Sequence, residues 1–203
     1  MRPHCRRHDP SPETFGIVCY SAQIWQNYRK YVRAYGADID FDAFVRLYLD
    51  RQENAKIKVA KALDATFADP QNDAERRIKA LIDDFDSAQK TKLEQELFKQ
   101  RRRLADAERL LESRTTKAAL DSRRIAGDKV EWTLGKLADL RRGELNDEDH
   151  RIFPGWYAPV MAVVGGRRVI RPMRYQCRPA GKPAAEPRER TAHQTGSFAL
   201  LVS

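Results

Sequence analysis

The sequence predicts an α+β protein: N-terminal helices, a long charged coiled-coil-like helical insertion, and a small β core toward the C-terminus. Three observations carry this. No proline occurs between Pro70 and Pro154, and Ala, Leu, Glu, Lys, Arg and Gln dominate residues 73–142, which therefore read as helix. After Asp147 to Asp149 the hydrophobic period changes from helical to alternating, and Gly165-Gly166 divides two alternating runs as a hairpin turn does. From Cys19 to about Arg51 the chain is compact and aromatic, with apolar residues three and four apart.

The elements follow in order. Residues 1–17 are rich in Pro, His and Arg without periodicity and read as a disordered leader. In residues 18–70, Ser21 is expected to cap a first helix carrying Ile24, Trp25, Tyr28, Tyr31, Val32 and Tyr35, and Gly36 to end it. Asp40 then caps a second helix through Phe41, Phe44, Val45, Leu47, Tyr48 and Leu49.

Residues 71–150 form the helical insertion. Leu97, Leu104, Leu111, Ala118, Ile125 and Trp132 recur every seven residues, with Leu93 and Ala107 at the companion spacing. Gln100, Arg114 and Asp121 make the second seam position polar, so the coiled coil is imperfect. One helix of about 70 residues would run about 105 Å. A break near Ser113 to Thr116, folding the segment into an antiparallel pair, fits the pattern equally well. In residues 151–183, Met161 to Val164 and Arg167 to Pro172 are expected to form the hairpin, followed by a third extended piece from Met173 to Cys177. Residues 184–203 form a tail with no domain pattern of its own.

The chain has 203 residues, 41% of them hydrophobic and 33% charged, with a net charge of +9. It holds no apolar run of transmembrane length and no signal-peptide core, so a cytoplasmic location without membrane partners is expected. Cys5, Cys19 and Cys177 are too few and scattered for a disulfide framework, and no metal-ligand spacing occurs; neither metal nor cofactor is expected. The charge is localised: residues 71–150 balance eighteen Lys/Arg against eighteen Asp/Glu, whereas residues 151–203 hold nine against two. Between Arg151 and Lys182 no acidic residue interrupts Arg167, Arg168, Arg171, Arg174 and Arg178, and Phe153, Trp156, Tyr157 and Tyr175 are interleaved. Basic and aromatic side chains so mixed can hold phosphates and stack on bases, as single-stranded nucleic acid requires. The alternative is a basic surface that only confers solubility. The neutral helical segment points instead to a structural role or self-association.

Trp156-Tyr157-Ala158-Pro159-Val160, the glycine-turn hairpin, and Arg171-Pro172-Met173-Arg174-Tyr175-Gln176-Cys177-Arg178-Pro179 resemble, in order, a segment of the SOS response-associated peptidase (SRAP) family. Cys19-Tyr20-Ser21-Ala22-Gln23-Ile24-Trp25 through Tyr28-Arg29-Lys30-Tyr31-Val32 resembles the amino terminus of a bacterial branch with a long helical insertion. The resemblance spans residues 18 to about 183 and implies a partial SRAP-like β core. It implies a DNA-damage function: binding single-stranded DNA and forming a covalent thiazolidine with abasic sites through an N-terminal cysteine, with an associated autopeptidase activity.

Carried onto this chain, the resemblance implies Cys19 as the catalytic nucleophile, Arg171 and Arg174 as phosphate contacts, and Trp156 and Tyr175 as stacking surfaces. Cys19 needs a free α-amine, so the expected translation start is Val18, read as Met and then removed. The family's later Asn-Ala-Arg-x-Glu, Glu and His motifs do not occur, and His193 lacks matching surroundings. The expectation is therefore a truncated, weakly active or inactive member. A non-enzymatic coiled-coil protein with a basic nucleic-acid-binding end is the alternative.

Overall fold

The computed structural model describes residues 22–24, 28–175 and 198–200. The chain runs β1 (Ala22–Gln23), α1 (Tyr28–Tyr35), β2 (Asp38–Ile39), α2 (Phe41–Glu53), α3 (Lys61–Ala65), α4 (Asp73–Ser113) and α5 (Lys117–Arg141). A 3-10 turn (Asp147–His150), β3 (Arg151–Ile152), β4 (Tyr157–Val164), β5 (Arg167–Arg174) and β6 (Phe198–Leu200) complete it. The protein is α+β, as expected. One mixed sheet has the order β2-β5-β4-β6, and β1 and β3 form a separate two-stranded ladder. No helix among the described residues is long and apolar enough to cross a membrane.

The core forms where α1, α2, α3 and the start of α4 cover the sheet. Tyr28, Phe44, Tyr48 and Phe67 are buried together, with Tyr28 and Phe67 5.4 Å apart and Phe44 and Phe67 5.6 Å apart between ring centres. Leu63, Ile78, Ile152 and Ile170 close around them. Inside this apolar cluster the Tyr48 hydroxyl donates to Asp64 Oδ1 (2.8 Å), and Arg51 grips both Asp64 oxygens at 2.9–3.0 Å while lying over the Phe85 ring. Burial raises the Asp64 carboxyl above its ordinary value even though Arg51 and Tyr48 favour the charged form.

Asp40 caps α2 as expected, accepting from the Ala43 N–H at 2.9 Å. The insertion takes the hairpin form: α4 ends at Ser113, residues 114–116 turn, and Thr116 caps α5 by accepting from the Ala119 N–H at 3.2 Å. The break shifts the heptad by one residue. The buried seam of α4 includes Gln100 and Ala107, but that of α5 is Ala119, Ala126, Thr133 and Leu137, so Ala118, Ile125 and Trp132 do not continue the stripe. Small alanines on both helices permit close approach.

Two further expectations change. Ala22–Gln23 is strand, because Ala22 pairs with Ile152 and Gln23 with Arg151; that long-range pairing overrides the local helical spacing, and the described helix starts at Tyr28. Ser21 and Trp25 lie outside the described residues. Met173 and Arg174 belong to β5 rather than to a third strand, since Pro172 leaves the ladder with β4 uninterrupted. Gly165 (φ 57°) and Gly166 (φ 78°) both adopt the left-handed region that a two-residue type I′ turn demands.

Candidate nucleic-acid interface

Strand geometry divides the basic run of β5 into two sets. Side chains alternate between faces, so Arg167 and Arg171 share one face and Arg168 and Arg174 the other. β2 lies parallel beside β5, with Asp38 opposite Val169 and Ile39 opposite Ile170, which brings Asp38 and Asp40 onto the Arg167 and Arg171 face. Arg167 meets Asp38 at 3.3 Å and Arg171 meets Asp40 at 2.7 Å. The second pair is half-buried, and Asp40 is the cap of α2, so Arg171 ties the sheet to the start of that helix. Arg168 instead donates to the Tyr35 carbonyl (3.0 Å) at the end of α1, and Arg174 to the Gly155 carbonyl (3.2 Å). Neither pairs with a carboxylate among the described residues, so both keep their net charge at the surface.

The stretch from Arg151 to Lys182 is thus acid-free along the chain but not in space. Arg168 is the residue that linear reading missed; the period-two alternation, applied across the whole run, is the signal that separates it from Arg167.

At the open end of the hairpin, Phe153-Pro154-Gly155-Trp156 makes a tight turn in which the Trp156 N–H donates to the Phe153 carbonyl at 2.9 Å. Gly155 has φ 93°, the conformation that position three of a type II turn requires. The turn is fastened to β5: Gly155 N–H donates to the Tyr175 carbonyl and Tyr175 N–H to the Trp156 carbonyl, both at 2.7 Å. Trp156 and Tyr175 therefore come together, with the Phe153 ring edge-on to Trp156 at 5.2 Å, while the Arg174 side chain leaves the other face of the strand and rests against Gly155. Trp156 and Tyr175 are half-buried against the core, and Arg174 is exposed. Arg171, farther along the strand on the face that continues to Tyr175, is held by Asp40 and is not part of this group.

Cys19, with Cys5 and Cys177, lies outside the described residues. The chain that follows Cys19 is nonetheless tethered. Ile24 N–H donates to the His150 carbonyl at 2.8 Å, the Ile24 carbonyl shares a hydrogen bond with His150 Nδ1, and Ala22 pairs with Ile152. α1 is fixed from the other side by Glu75, which is buried at the start of α4 and accepts from the Tyr28 hydroxyl (2.6 Å), the Gln71 N–H (2.7 Å) and the Arg29 guanidinium. Burial alone would raise the Glu75 carboxyl, but these donors outweigh it and hold the group below its ordinary value.

Among the described residues no group of three or more His, Cys, Asp or Glu could hold a metal ion. Comparison of the chain with protein-family models, curated proteins and solved structures yields no match.

Proposed function

We propose that this chain has SRAP-type chemistry: it engages single-stranded DNA and captures abasic sites covalently through Cys19. One observation supports the reading more than any other. The pairing of Ala22 with Ile152 spans some 130 residues of sequence and draws the chain just after Cys19 against the residues leading into Trp156 and β4. The described chain nearest to Cys19 thus lies beside the residues that lead into the hairpin carrying Arg168, Arg174, Trp156 and Tyr175, which supports their belonging to one site.

The reaction needs a thiol and an α-amine on one residue. The amine of an N-terminal Cys19 condenses with the ring-opened sugar aldehyde, forming an imine and releasing water. The thiol then adds across the C=N bond, its sulfur bonding to carbon and its proton passing to nitrogen, and the thiazolidine ring closes. Arg168 and Arg174 supply cations for the flanking phosphates, and the aromatic pair offers a stacking surface.

The test is a denaturing gel of abasic single-stranded DNA incubated with protein beginning at Cys19. A covalent band is expected, and it is absent for Cys19→Ala and for DNA without an abasic site. No band from the Cys19-initiated protein overturns the reading. The second reading, a non-enzymatic helical protein with a basic end, is favoured by the charge that Arg168 and Arg174 retain. It predicts only salt-sensitive, reversible binding, unchanged in Cys19→Ala.

A further inference from the structure

The helical hairpin projects from the core and carries a face that the fold leaves uncovered. α4 is 41 residues long, about 60 Å, and only its first part meets the core, through Ile78 and Ile82. At about 100° per residue, Phe98 lies roughly opposite Ile78 and Ile82 round α4, so its side of the arm points away from the core. Phe98 is 72% exposed, and Leu134 and Leu120 of α5 are 41% and 40% exposed.

The seam fixes which residues share this side. In α4, Gln100 and Ala107 are buried in the seam, so Glu94, Phe98, Arg101, Ala105, Glu108 and Glu112 flank it on one side. In α5, with Ala119, Ala126, Thr133 and Leu137 buried, the matching side carries Lys117, Leu120, Arg124, Gly127, Glu131, Leu134 and Arg141. The contact of Glu94 with Arg141 on this side, and of Arg103 with Ser122 on the other, agree with that division.

The charges on the two halves differ in sign. The α4 strip has three glutamates against Arg101, and the α5 strip has three basic residues against Glu131. With the turn at residues 114–116, residue 98 lies level with 132, 101 with 129, 108 with 122 and 112 with 118. Consider a second copy related by a two-fold axis along the arm. It lays α4 of one copy antiparallel over α5 of the other at unchanged height, and four residues then come within two positions, about 3 Å, of a complement: Phe98 and Leu134, Arg101 and Glu131, Glu108 and Arg124, Glu112 and Lys117. Ala105 and Gly127 leave room for close approach between them.

We propose that the hairpin arm is a homodimerisation surface, two copies forming a parallel-armed four-helix bundle through Phe98, Leu134 and the Arg101–Glu131 pair. The cores sit on the outer sides of the bundle and do not compete for the space. A face about 28 Å long and about 20 Å wide buries about 1,100 Å² in total, at the low end of specific interfaces. An interface of this size suits a reversible dimer rather than an obligate one.

Sedimentation equilibrium of the full chain, without DNA, tests this. A monomer–dimer equilibrium is expected. Arg101→Glu should weaken it about tenfold or more, because each copy gains a Glu–Glu contact. Adding Glu131→Arg to Arg101→Glu should restore it, and Phe98→Ala should weaken it. All these positions are on the surface, and an unchanged circular dichroism melt confirms that each variant folds. A chain that stays monomeric at hundreds of micromolar overturns the proposal, as does a dimer indifferent to Arg101→Glu or one not rescued by the double reversal. Those last outcomes would mean that another surface, or another protein, covers this face.

Discussion

Pro159 and Pro172 stand directly opposite each other across the β4–β5 hairpin. Val164 and Arg167 close the two-residue turn as a hydrogen-bonded pair, and pairs alternate from there, so Pro159 and Pro172 form a pair whose backbone groups point outward. The outward bonds of Asp40 N–H to the Ile170 carbonyl and of Tyr157 N–H to the Lys58 carbonyl fit that alternation. Each proline therefore leaves the inner ladder whole and removes a donor from an outer edge. The pairing of β5 with β2 stops at Ile170, and that of β4 with β6 stops at Val160.

Proline tolerance should follow this alternation. Pro172→Ala is expected to cost less than about 1 kcal/mol, a loss of chain stiffness alone. Val169→Pro, whose N–H points inward toward Ala162, should cost about 3 kcal/mol or more. Urea melts of the two variants compare them directly, and equal costs would refute the assigned register.

The two faces of β5 should separate binding from stability. Replacing Arg168 and Arg174 together by Ala should weaken single-stranded DNA binding and reduce the slope of log K against log salt by about 0.7 for each phosphate no longer neutralised. Arg171→Ala should lower thermal stability, because Asp40 loses its partner beside the cap of α2, while the salt slope stays close to that of the parent. Fluorescence anisotropy across a salt series, with a parallel melt, distinguishes the effects.

Acid should loosen the junction between α1 and α4. The Glu75 carboxyl is held below its ordinary value of 4.5 and that of Asp149, through its Arg142 hydrogen bonds, below 3.8. A carboxyl lowered in the folded state contributes stability that is present above its unfolded value and is lost as pH falls through the folded one. The contribution of these two groups to the unfolding free energy should fall as pH drops below about 4.5, while Asp64, raised by burial, acts in the opposite direction. Glu75→Gln should cost about 2 kcal/mol at neutral pH, leaving Arg29 without its carboxylate, and should flatten the acid limb. Chemical denaturation at a series of pH values reads both.

Much of this architecture is legible in the sequence because it rests on local signals. Gly165-Gly166 specifies its turn, Asp40 its cap, and the proline-free stretch its helices. Long-range choices are not legible in the same way. Nothing local distinguishes one long helix from a hairpin at Ser113 to Thr116, since capping by Thr116 matters only once α5 can fold back. Ala22–Gln23 reads as helix until Ile152 is available to pair with it. Arg171 looks like a phosphate ligand until β2, in another part of the chain, brings Asp40 beside it. The approach of Trp156 to Tyr175 is readable from their positions at the ends of one hairpin.

The central claim is chemical, and intact mass spectrometry of the covalent product tests it most directly. Protein beginning at Cys19, trapped on abasic single-stranded DNA without added reductant, should have the summed mass of protein and DNA less one water. Peptide mapping should place the bond at Cys19, and the product should withstand heating, as a ring-closed thiazolidine does. Attachment at a lysine, stable only after reduction, or the absence of any adduct would contradict the account.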